Sequence, residues 1–176
     1  MRLAAFSTAL LLAISAWPSF AQEASRNDFK EYCEAMQGRW VGDVTWVADW
    51  PGLGRKGEKV TAYSENTVSQ DGNVMVTKFY GGNGSATGLV AFDPLAKQIK
   101  SMFVVSGGFV GYTTVQKVDG KWVEKGIGST PDGTKNEWTS TVTITDNGKT
   151  HTWTGTGTLG GEKVADQHDV WRRVSK

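Results

Sequence analysis

The stretch "MQGRWVGDVTW", Met36 to Trp46, decides the fold. On its amino-terminal side apolar residues recur with a helical period, and on its carboxy-terminal side they alternate. Gly38-Arg39-Trp40 stands at the change. Upstream, "NDFKEYCEAM" puts Phe29, Tyr32, Cys33 and Met36 at i, i+3, i+4 and i+7, which is one apolar stripe on a short helix. Asn27 is placed to cap the first turn, Asp28 and Glu31 suit its positive end, and Gly38 is placed to end the helix. Cys33 lies in the stripe with no Lys, Arg or His flanking it, so it reads as a small buried hydrophobe rather than a reactive thiol.

Beyond Gly38 the texture is Thr, Val, Trp and Tyr with turn signals every eight to twelve residues, the pattern of an all-β sandwich or barrel. Pro51-Gly52, Asp71-Gly72, Gly81-Gly82, Asp93-Pro94, Gly107-Gly108, Asp119-Gly120, Pro131-Asp132-Gly133, Asn147-Gly148 and Gly160-Gly161 punctuate it. They predict about ten strands, at 39–48, 57–70, 73–81, 87–93, 97–105, 109–118, 121–129, 134–145, 149–159 and 162–174. A meander of this length does best by closing on itself, which removes both exposed edges. The expected fold is therefore all-β, a single antiparallel up-and-down barrel of about ten strands behind a short amino-terminal helix. "GGNGSATG", Gly81 to Gly88, is followed by no helical pattern and reads as a rim loop rather than a phosphate cradle.

Pairing across Asp71-Gly72 sets Val68 against Met75, Asn66 against Thr77 and Ser64 against Phe79. Glu65 then faces Lys78 on the other side, which belongs in water. Val60, Ala62, Ser64, Asn66, Val68, Met75, Thr77 and Phe79 should point inward. In the 134–159 hairpin a threonine ladder occupies one face, and Trp138, Ser140, Val142, Ile144, His151 and Trp153 the other. Threonine suits a solvent-facing β surface, so the tryptophan-bearing rows, with His151, should face the interior.

A helix leading into Gly-x-Trp, followed by a long antiparallel meander, resembles the calycin superfamily of lipocalins, fatty-acid-binding proteins and nitrobindin-like proteins. In lipocalins that Trp plugs the closed end of the barrel beneath an Arg from the last strand. The resemblance thus makes Trp40, with Arg172 or Arg173 of "DVWRRV", a barrel-closing set worth about 0.5–2 kcal/mol. The run from Val90 to Gly133 also looks like a family of exported bacterial lipocalin-like barrels of unknown function. It carries Asp93-Pro94, Lys97-Gln98-Ile99, Gly107-Gly108-Phe109 and Asp119-Gly120-Lys121-Trp122, and Trp171-Arg172-Arg173-Val174 closes the likeness. Nitrobindin-like relatives hold haem through a histidine, which makes His151 or His168 a candidate ligand. This chain keeps Gly38, Trp40 and Gly42 of their opening pattern and departs at Val44. His168 has the opposite parity to Trp171 and Arg173, so it points outward when they point inward.

The first residues, "MRLAAFSTALLLAISAWPSFA", carry Arg2, an apolar run shorter than a membrane span, and small residues at a cleavage site. They read as a signal peptide cut after Ala21, followed by a helical lead-in at 22–38 and a barrel domain at 39–176. The expected location is periplasmic or secreted, without stable membrane insertion. The whole chain has 19 basic and 18 acidic residues; loss of Arg2 with the signal leaves the charge balanced. No basic block suggests nucleic acid as a partner. Cys33 is the single cysteine and has no intrachain partner, so the core must hold the fold.

Function follows from the inward rows. Trp46, Asn66, Met75, Thr77, Phe79, Phe103, Trp138, His151 and Trp153 either line a pocket or fill a solid core. Ser64, Asn66, Thr77, Ser140, Gly155 and Gly157 share those faces and would leave space. The reading is a monomeric, non-catalytic binder of a small, mainly apolar molecule, with Asn66 and Thr77 orienting any polar group and the 49–57 and 81–88 loops gating the open end. No metal is expected and no cofactor is required, haem being the alternative. A barrel with a filled core serving structure or protein contact is the other alternative. No nucleophile elbow, phosphate loop or metal-spaced histidine pair supports an enzyme.

Overall fold

Strands joined by tight turns pair with their chain neighbours, and the pairings here run on until they meet. The computed structural model describes residues 23–175, so the signal-peptide reading of residues 1–21 lies outside the described residues. Helix α1 (Arg26–Met36) precedes β1 (Gly38–Thr45), β2 (Lys59–Ser69), β3 (Val74–Gly81), β4 (Gly84–Asp93), β5 (Gln98–Val105) and β6 (Val110–Val118). There follow β7 (Lys121–Ser129), β8 (Lys135–Thr145), β9 (Thr150–Leu159), β10 (Glu162–Lys163) and β11 (Gln167–Ser175). Consecutive strands pair antiparallel from β1 to β9, and β11 bridges β9 back to β1. The result is a closed antiparallel barrel of ten strands, with β10 as one extra strand on β9.

The β2–β3 register is Val68↔Met75, Asn66↔Thr77, Ser64↔Phe79 and Glu65↔Lys78, as the alternation demands. Ala62 and Met75 are buried while Tyr63 and Tyr80 are 57% and 49% exposed. The turn between these strands is longer than two residues. Gln70–Gly72 form a short 3-10 turn, with Asp71 at φ 53° and Gly72 at φ 81°, a left-handed pair suited to Asp-Gly. The threonine ladder lies outside, and Ser140, Val142, His151 and Gly155 are buried inside. The outer wall also carries Leu89, Met102, Tyr112 and Ile127 as a cross-strand apolar row.

Three local expectations change. The helix starts two residues earlier than Asn27 implies: Ser25 is the N-cap and forms a capping box with Asp28, whereas Asn27 sits inside and donates to Glu31. The 81–88 segment is not a rim loop, because Gly81 pairs with Gly84 around a tight turn and β4 already runs from Gly84. The last strand is split. Val164 still donates to Gly157, but pairing resumes at Gln167↔Gly155 one residue out of step, a bulge within 164–166.

Helix α1 plugs one end of the barrel. Phe29, Tyr32, Cys33 and Met36 pack on Met75, Val90, Ile99, Val115, Trp122 and Val142. Burial pushes the Cys33 thiol up to about 11, so it is held as an inert thiol. At the opposite end the 46–58 segment folds across the opening. The Asn83 amide donates to Leu53 O at 2.8 Å, and Ser106 Oγ to Gly52 O at 3.4 Å.

Candidate functional site

The closed end is fastened from both termini of the barrel. Trp40 is 1% exposed and its Nε1 donates to Met36 O at 2.9 Å. The Arg173 guanidinium lies 4.3 Å from the Trp40 ring centre, because Arg173 is the cross-strand partner of Trp40. It also donates to Ala35 O at 2.6 Å and Gln37 O at 2.7 Å, satisfying carbonyls at the end of α1, and to Gly148 O at 2.8 Å in the turn before β9. Arg172 is on the outside, 3.7 Å from Asp43. Parity with Trp171 was the signal in the sequence that picks Arg173. Asn66 serves the same fastening, its Nδ2 donating to Met36 O at 2.8 Å.

Between the plug and the 46–58 segment the interior is not packed solid. An outer chamber of about 280 Å³ is lined by Trp46, Trp50, Leu53, Phe103, Phe109, Thr113, Glu124, Asn136, Trp138 and Trp153, among others. An inner chamber of about 250 Å³, next to the helix, is lined by Tyr32, Ser64, Asn66, Met75, Thr77, Phe79, His151, Asp169 and Trp171. Trp153 and Gln167 line both. The single set of inward residues thus divides: Trp46, Phe103 and Trp138 go to the outer chamber, and Asn66, Met75, Thr77, Phe79 and His151 to the inner one.

Glycines on the inner face explain how so many rings leave space. A Cβ on Gly126 would lie 2.0 Å from the Trp138 ring, one on Gly155 2.2 Å from Trp153, and one on Gly111 2.4 Å from Phe103. Each ring lies flat over a neighbouring glycine, so it lines the wall instead of projecting across the lumen. Phe103, Phe109 and Trp138 form a triangle with ring centres 5.8–6.4 Å apart.

Besides Tyr32, the titratable side chains Glu124, Asp169 and His151 line this interior among the described residues. Glu124 accepts from Tyr32 Oη at 3.2 Å, Ser140 Oγ at 2.9 Å and Trp153 Nε1 at 3.1 Å. Asp169 is 5% exposed and accepts from Gln167 at 2.6 Å, while its Oδ1 has no partner among the described residues. His151 stacks on Trp171 at 5.7 Å and meets Trp40 edge-on at 4.5 Å, with Nδ1 unpartnered among the described residues. The sequence reading passed over Glu124 and Asp169, although each shares the parity of a buried Trp on its strand. His168 is exposed, with Nδ1 3.4 Å from Thr154 Oγ1. No group of three or more His, Cys, Asp or Glu gathers as a metal site among the described residues.

The buried pair gives a pH signature. Burial, reinforced by the Arg173 charge, lowers His151 from 6.5 to about 4. Burial raises Asp169 from 3.8 to about 6, against opposing hydrogen bonds from Gln167 and Thr45. As pH falls from 6.5 to about 4 the unfolded chain protonates His151 and the folded chain does not, which destabilises the fold. As pH falls from about 6 to 3.8 the folded chain protonates Asp169 first, which stabilises it. The two nearly cancel. Asp169→Asn removes one arm, so the variant should be more stable than the parent at pH 7 by roughly 2 kcal/mol and lose that advantage towards pH 4. Urea melts at the two pH values check this; parallel curves for parent and variant would contradict it.

No family model and no curated protein matches the chain. The geometry alone defines its class: a closed antiparallel, lipocalin-like β-barrel whose interior is compatible with ligand binding.

Proposed function

We propose that this barrel reversibly binds a small, mainly apolar molecule, without catalysis, in the outer chamber. The observation that carries the reading is the aromatic cavity of about 280 Å³ kept open by glycines opposite its rings. Concave, mainly apolar spaces with few polar groups are where small ligands bind. The amino-terminal pattern of residues 1–21 supports a periplasmic or extracellular setting. The helix plug and the Arg173–Trp40 stack support kinship with the lipocalins.

Haem does not fit as the bound group. His151 has indoles on two sides, and the chamber beside it, at about 250 Å³, is too small for a porphyrin. A porphyrin would have to displace Trp40 or Trp171.

Titration with an environment-sensitive aromatic dye, with fatty acids and haemin alongside, tests the reading. Saturable dye binding is expected, weakened about tenfold in Trp138→Ala as one ring wall is lost. No saturable binding of any member of the set would refute it.

A further inference from the structure

We infer that the outer chamber selects a small protonated amine with an apolar body, its ammonium group held at Glu124 inside the aromatic wall. This rests on the cavity reading above and names the ligand class for the same site.

Three observations point the same way. First, Glu124 is the carboxylate in the lining of the outer chamber, and Asp169 is that of the inner one. Neither lining contains a Lys or Arg. Arg173 is engaged with carbonyls around the end of α1, and Lys117 Nζ is bound to Glu31 at 2.5 Å. Second, the carboxylate is positioned, not loose. Ser140 and Trp153 both donate to Oε2, whereas Oε1 receives only the longer Tyr32 bond at 3.2 Å. A carboxylate oxygen accepts about two hydrogen bonds, so Oε1 retains capacity for a ligand N–H. Third, the wall around it is the Phe103–Phe109–Trp138 triangle with Trp153. Aromatic faces are negative and attract an organic cation within about 6 Å of the ring centre.

The combination separates charge classes. A carboxylate ligand would meet Glu124 with like charge, which disfavours it. A neutral hydrocarbon would gain the wall and leave Oε1 unanswered. A protonated amine gains the wall, the cation–π attraction and a charge-assisted hydrogen bond.

Calorimetric titration with three matched probes tests this: 2-phenylethylammonium, the neutral n-propylbenzene of the same shape, and the anion 3-phenylpropionate. The cation should bind about tenfold tighter than the neutral probe, and Glu124→Gln should abolish that preference. Glu124→Asp, which keeps the charge, should retain the order of the probes. If Glu124→Gln does not fold, the ranking of the three probes on the unmodified chain decides alone. Equal or tighter binding of n-propylbenzene or 3-phenylpropionate overturns the amine assignment and leaves the apolar cavity standing. Failure of all three probes, with the dye also failing to bind, removes both.

Discussion

Trp40→Ala should lower the unfolding free energy by about 3–5 kcal/mol, the range for truncating a fully buried aromatic. Three separate attachments go with the ring. Its Nε1 bond to Met36 O anchors the last turn of α1, its face carries the Arg173 guanidinium, and its edge supports His151. The loss therefore spreads from β1 to the helix plug and to β11, the strand that closes the ring. Chemical denaturation followed by tryptophan fluorescence measures it. Because α1 covers the inner chamber, the variant should also admit solvent there, seen as faster amide exchange in α1 than in β4–β7. A loss under about 1 kcal/mol with α1 still protected would show that this end is held by the apolar contacts of the helix and not by the indole.

Gly126→Val should remove ligand binding while leaving a folded barrel. The added Cβ falls 2.0 Å from Trp138 Cε2, a distance no packed structure tolerates, so the ring must tilt off the wall. The space open to it is the outer chamber. Dye affinity should fall about 100-fold, equivalent to ~2.7 kcal/mol of binding free energy. Overpacking should cost stability about 1–3 kcal/mol. The informative result is the pairing of a native far-ultraviolet spectrum with lost binding. Unchanged affinity would place the ligand elsewhere and contradict the outer chamber as its site.

Strand count and β2–β3 register were legible in the sequence, because side chains of a strand alternate and Asp-Gly or Asn-Gly turns fix the pairing beside them. The inward rows around Met75, Trp138 and Trp153 follow from the same rule. Other features were legible and passed over. Arg173 has the parity of Trp171, Asp169 likewise, and Glu124 has that of Trp122. Parity would have chosen Arg173 over Arg172; for Asp169 and Glu124 charge argued for water, yet alternation put them inside, and burial settled the conflict in favour of alternation. The capping residue shifted from Asn27 to Ser25 because capping requires extended backbone as well as a side-chain oxygen, and Ser25 has it at φ −106°, ψ 167°.

By itself the sequence determined what depends on neighbours along the chain: one helix, a run of antiparallel strands, the faces they present, and a closed ring as the best disposal of their edges. Only the tertiary structure decided what depends on partners distant in the chain. It showed which ring lies over which glycine, that Trp153 stands between two chambers, that Ser140 and Tyr32 turn towards Glu124, and that a bulge at 164–166 sets the phase of β11. Alternation assigns a side chain to the inside of a barrel. It says nothing of whether the inside is filled, because that volume is fixed by ring orientations set across strands.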